Sequence, residues 1–121
     1  MNKIQKARLN KWADALESGN YKQGRWWLRP NLVEGDENGP DTFCCLGVAC
    51  DLYAKNTKKG KWDGEKFRTN KYDENDANPP EPVTEYFGIS IETAEKLVDM
   101  NDEKHNTFKT IAKFIRKLAS K

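Results

Sequence analysis

Apolar residues recur at helical spacing through the first seventeen positions. Ile4, Leu9, Trp12, Ala13 and Leu16 share one face, with Lys3, Lys6, Arg8 and Lys11 largely elsewhere, so residues 4–17 read as an amphipathic helix. Ser18-Gly19-Asn20 closes it, because glycine enters the left-handed region that ends helices. Tyr21 to Leu28 is short and rich in aromatics. It reads as a strand, with Tyr21, Gln23, Arg25 and Trp27 on one face and Lys22, Gly24, Trp26 and Leu28 on the other. Pro30 cannot donate to a ladder and ends it.

Residues 31–42 read as an acidic loop in which Asp41 or Thr42 is placed to cap the next element. Phe43 to Tyr53 is apolar almost all round except for Asp51. That is the pattern of a central buried helix, and periodicity alone leaves a buried strand as the alternative. After a basic connection, Asp63-Gly64 marks a tight hairpin turn. Residues 69–82 carry Asn, Asp and Pro with almost nothing apolar and read as a loop. Pro82 suits the start of a short helix ending at Gly88. Ser90 starts another over Ile91 to Met100, broken by Asn101-Asp102. Asn106 or Thr107 caps the last helix, whose stripe of Phe108, Ile111, Ala112, Ile115, Leu118 and Ala119 is the clearest in the chain. The expected architecture is α+β: one small domain over residues 1–121, with about four helices packed on a short antiparallel sheet.

Two segments resemble a known family. Trp12 to Gly24 follows the pattern W-x-x-A-L-x-S-G-x-Y-x-Q-G, and Phe43 to Asp51 follows [FY]-C-C-L-G-V-x-C-D. Pro80 and Val83, Phe87-Gly88, Asn101-Asp102 and Thr107-Phe108 through Ile111-Ala112 match its later pieces. Together they are similar to a family of small proteins encoded by tailed bacteriophages and prophages. The resemblance implies a phage-encoded accessory protein acting in the cytoplasm of a bacterial host, and it implies no particular chemistry. The basic, aromatic Arg25-Trp26-Trp27-Leu28-Arg29 segment departs from the bare pattern.

Charge changes the picture less than its amount suggests. Of 121 residues 33% are charged, but 21 Lys and Arg stand against 19 Asp and Glu, for a net charge of +2. A balance so close to neutral disfavours gross attraction to nucleic acid or a membrane surface. The longest uncharged apolar run, Phe43 to Cys50, is too short to span a bilayer, and the N-terminal residues lack the apolar segment of a secretory signal. The distribution is uneven: residues 73–103 hold ten acidic side chains against the single Lys96.

Each candidate site competes with a plainer reading. Three cysteines and one histidine, without a Cys-x2-Cys knuckle, make a poor metal set, so neither metal nor cofactor is expected. Cys44 or Cys45 near a helix start, with His105 as base, would be a weak nucleophile pair, and small buried thiols are the plainer reading. Asp51 needs a partner if buried, such as an Arg, a Trp N–H or backbone. The ribbon after the first helix is the best lead: Lys22, Arg25 and Arg29 for phosphate oxygens, Tyr21, Trp26 and Trp27 for stacking, and Gln23 as an amide reader.

The expected function is therefore a non-enzymatic, anti-defence type binding protein that sequesters a small anionic, nucleotide-like ligand. Lys22, Gln23, Arg25, Trp27 and Arg29 would hold phosphate and base, with Asp51, Asn101 and Asp102 on ribose or base edges. A chain this short leaves room for a pocket completed by a second subunit. The alternative is a protein-binding inhibitor of a host enzyme that uses the acidic 73–103 surface. A cysteine-dependent hydrolase and a DNA binder rank below both.

Overall fold

A computed structural model describes residues 1–29, 42–64, 66–70 and 78–121. Among these, helices predominate: α1 (Lys3–Glu17), α2 (Cys45–Thr57), α3 (Glu81–Phe87), α4 (Ile91–Asp102) and α5 (Phe108–Ala119). Two small sheets accompany them. Strand β1 (Lys22–Gln23) pairs parallel with β2 (Thr42–Phe43), and β3 (Lys61–Asp63) pairs antiparallel with β4 (Lys66–Arg68). The α+β class is as expected, with one helix more than counted and only the hairpin antiparallel. The 31–41 part of the acidic loop and residues 71–77 lie outside the described residues.

Local chemistry explains the helix ends. Asn2 and Gln5 form a reciprocal capping box on α1, with Gln5 N donating to Asn2 Oδ1 at 2.8 Å and Asn2 N to Gln5 Oε1 at 3.2 Å. Ser90 caps α4 and Thr107 caps α5, as their positions predict. Gly88 ends α3 in the left-handed region at φ 70°. The cap of α2 corrects an expectation. Thr42 lies in β2, and the Cys44 thiol accepts from Gly47 N at 3.3 Å. This helix also runs four residues past Tyr53, held by the Asp51–Lys55 pair one turn apart.

The apolar α2 is the centre of the molecule, with Cys45, Leu46, Val48, Ala49 and Cys50 at most 1% exposed. Around it the buried side chains form one continuous core. Trp12 is fully buried, places its ring 5.0 Å from Phe87, and donates its indole N–H to Cys45 O at 3.0 Å. One side chain thus joins α1, α2 and α3. The most extensive helix contact is between α1 and α5. Ile4, expected on the buried face of α1, is 63% exposed; the buried stripe begins at Leu9.

The ribbon after α1 departs most from its expected form. The ladder covers two residues, Gly24 N still reaches Phe43 O at 2.8 Å, and then the chain turns with Trp26 at φ 78°. A non-glycine residue in that region breaks the strict two-face alternation expected for residues 21–28. Leu28 sinks to 0% exposure beyond the turn.

Candidate ligand-binding site

Asn101 and Asp102 do not break α4. They form its final turn, and their side chains are buried at 0% and 5% exposure. Their partners are the ribbon itself. Asn101 Nδ2 donates to Gly24 O at 2.9 Å and to Asp102 Oδ1 at 2.8 Å, while Asn101 Oδ1 accepts from Gln23 Nε2 at 2.9 Å and from Cys45 N at 3.3 Å. Asp102 Oδ1 also accepts from Trp26 N at 2.9 Å. Gln23 completes the clasp: its Nε2 donates to Asn106 O at 2.8 Å and its Oε1 accepts from Phe108 N at 3.1 Å, in the turn between α4 and α5.

Three of the expected ligand contacts, Gln23, Asn101 and Asp102, are thus brought together, but they are bonded to one another and to backbone. They position the ribbon. Side-chain amides replace the ladder a longer strand would have formed, and they hold Trp26 in a backbone region that costs an L-residue about 1 to 2 kcal/mol.

What the clasp presents is the corner from Lys22 to Arg29. Lys22 is exposed, and its side chain makes no ion pair or hydrogen bond among the described residues. Of the expected stacking residues, Trp26 is 48% exposed, whereas Trp27 and Tyr21 are half-buried. Arg25 is half-buried, and its Nε is shielded from solvent with no hydrogen-bond acceptor. Arg29 lies with its guanidinium 5.1 Å from the centre of the Trp62 ring, within cation–π range.

Asp51 takes its partners from Tyr21, α2 and β3, and no arginine is among them. Its carboxylate accepts from Tyr21 Oη at 2.5 Å, from Lys55 Nζ at 3.0 Å and from Trp62 Nε1 at 3.2 Å. The tryptophan N–H is one of the partners expected for it; Tyr21 and Lys55 were not singled out for this role. Burial alone would raise the Asp51 carboxyl, but the three donors outweigh it and hold it below its usual 3.8. Burial and the carboxylate together raise the Tyr21 phenol above its usual 10. Asp51, Tyr21 and Lys55 line a surface depression of about 770 Å³ with Asp14, Asn20 and Phe43.

The family model described as "Domain of unknown function (DUF8296)" matches residues 1–119. The chain belongs to this family. Neither the curated proteins nor the solved structures contain a match to it.

The cysteines of this DUF8296 chain are placed for packing. All three are free and buried, and burial pushes the Cys44 thiol up to about 12 and raises Cys45 and Cys50 well above the usual 9.0. A thiol so placed holds its proton at neutral pH, the opposite of an activated nucleophile. His105 is exposed in the turn before α5, at φ 53°. Among the described residues no three His, Cys, Asp or Glu side chains converge as a metal site, and no helix is long and apolar enough to cross a membrane.

Proposed function

We propose that this DUF8296 protein is a binding protein that captures a small anionic, nucleotide-like ligand on the Lys22–Arg29 corner. In this reading it is a phage-encoded accessory protein of the anti-defence type, working in the bacterial cytoplasm, as the sequence resemblance implies. One observation carries the proposal. Arg25 has a solvent-shielded Nε without an acceptor and forms no ion pair among the described residues. With its Nε enclosed and no partner among the described residues, the guanidinium has its terminal nitrogens left for an external anion, and a phosphate or carboxylate meets that planar edge with two parallel bonds.

Trp26 supports the same reading. Its half-exposed indole next to that cation supplies a stacking face, worth about 1 to 3 kcal/mol per base. Its strained backbone is held by Asp102 through a half-buried bond. Strain kept by tertiary contacts is characteristic of functional positions. Lys22 adds an exposed charge. Gln23, Asn101 and Asp102 act indirectly, by fixing the ribbon.

The test is titration of the full chain, by calorimetry and tryptophan fluorescence, with nucleoside mono-, di- and triphosphates and cyclic dinucleotides. Bound material is then released by heat and identified. Capture predicts a dissociation constant below about 100 μM for at least one of them, recovered unchanged, and a loss of about tenfold or more in Arg25→Ala. Trp26→Gly removes the indole while suiting the positive φ, so it should lose affinity with its melting temperature kept. Native mass spectrometry of the loaded protein counts subunits. No binding across the panel, or an affinity untouched by Arg25→Ala, overturns the proposal.

A further inference from the structure

Helices α3 and α4 diverge from the corner at Gly88-Ile89-Ser90, and the space between them is a groove of about 510 Å³. Its floor is apolar: Pro79, Ile89, Ala94 and Ile91 line it. Ile91 is 72% exposed, more than any other large hydrophobic side chain described. With Pro79 and Ile89 it forms a contiguous apolar lining rather than a lone surface hydrophobe.

The rim carries one sign. Glu81 and Glu85 from α3 and Glu95 from α4 line the groove, and among the described residues no cation does. All three are exposed and make no ion pair among the described residues. Three described cations on or against these helices are engaged elsewhere. Lys96 lies 4.9 Å over the Phe114 ring, Lys104 pairs with Asp99 at 3.5 Å, and Arg8 stacks on Tyr86 at 3.8 Å while donating to its carbonyl. A chain with net charge +2 therefore keeps a groove whose described rim is acidic around an apolar stretch of Pro79, Ile89, Ile91 and Ala94.

We infer that this groove is a docking site for a cationic amphipathic segment of a protein partner, which seats an apolar side chain beside Ile91 and places lysines or arginines against Glu81, Glu85 and Glu95. Charge complementarity selects the class. A nucleic acid or free nucleotide is repelled by the rim, and a polyamine leaves the floor unfilled. The groove shares no residue with the Lys22–Arg29 corner, so this inference stands or falls independently of ligand capture. It gives a specific location to the protein-binding alternative read from the acidic 73–103 stretch.

The probe is a fluorescein-labelled helical peptide of lysine and leucine, followed by anisotropy with the full chain. Two controls accompany it, one with its leucines changed to serine and one with its lysines changed to glutamate. Binding is expected for the first peptide, with losses of tenfold or more for both controls. Glu85→Lys with Glu95→Lys, and separately Ile91→Ser, should each weaken binding by about tenfold, roughly 1.4 kcal/mol. All three positions are exposed, and circular dichroism verifies folding. Arg25→Ala should leave the peptide's affinity unchanged. If charge reversal weakens binding but Ile91→Ser and the serine peptide do not, the attraction is general electrostatics and the docking site is refuted. No binding, or equal binding by all variants, refutes it as well. Self-association without peptide, disrupted by Glu85→Lys, would make a second copy the occupant and overturn the assignment to a different partner.

Discussion

The carbonyl oxygen of Leu28 occupies the space that a β-carbon on Gly47 would need, and the carbonyl carbon would lie 2.9 Å from it. The same oxygen accepts from Cys44 N at 3.2 Å. The end of the ribbon is therefore seated directly on the first turn of α2, backbone against backbone. Gly47→Ala puts a methyl group against atoms that no side-chain rotation can move, so a loss of at least about 2 kcal/mol is expected. Urea unfolding of the purified variant measures it; a change under about 0.5 kcal/mol would show that the ribbon yields easily.

Asn101 is the most heavily committed side chain of the clasp. Asn101→Ala strands the buried Cys45 N and the half-buried Gly24 O, and should cost about 2 to 4 kcal/mol. Gln23→Ala should cost less, because the three bonds of Gln23 are only half-buried. Since the two side chains share a bond, the double variant should lose less than the sum of the singles. Additive losses from a double-mutant cycle would mean the clasp does not act as a unit.

Asp51 makes stability depend on acid in a defined direction. Its folded-state value is held below 3.8, so its contribution is fully present above the unfolded value and is lost as pH falls through the lowered one. Asp51→Ala should therefore be less stable than the parent at neutral pH, by about 1 kcal/mol or more from the donors left unpaired. The gap should narrow below about pH 4. Denaturation curves at pH 7 and at pH 3 make the comparison; a gap that stays constant rules out the ionised carboxylate as its source.

Thiol chemistry separates the packing role of the cysteines from a catalytic one. At pH 8 none of Cys44, Cys45 and Cys50 should react with an aromatic disulfide reagent while the chain is folded, and all three should react in denaturant. One rapid equivalent in the native protein would reveal an activated thiol and reopen the hydrolase reading.

Much of the helical frame is legible in the chain itself. The stripe on α5, the caps Ser90 and Thr107, the stop at Gly88 and the Asp63-Gly64 hairpin all depend on residues within a turn or two of one another. Local spacing decides which face is apolar and which backbone groups need a cap. The buried character of α2 follows from an apolar run with no polar face.

The site was less legible, because its bonds join residues far apart in sequence. Gln23 and Asn101, or Tyr21 and Asp51, look equally able to bind a ligand or each other until their separation in space is known. Alternation also misplaced the tryptophans, since it assumes extended backbone and Trp26 turns out of it. Periodicity and capping chemistry determined the helices and the central position of α2. Only the tertiary structure decided that Asn101 and Asp102 would turn inward to hold the ribbon, leaving Arg25 unsatisfied and Trp26 half in water. The physical reason is that a polar group's partner is chosen by what folding brings within about 3 Å, and no one-dimensional pattern encodes that distance.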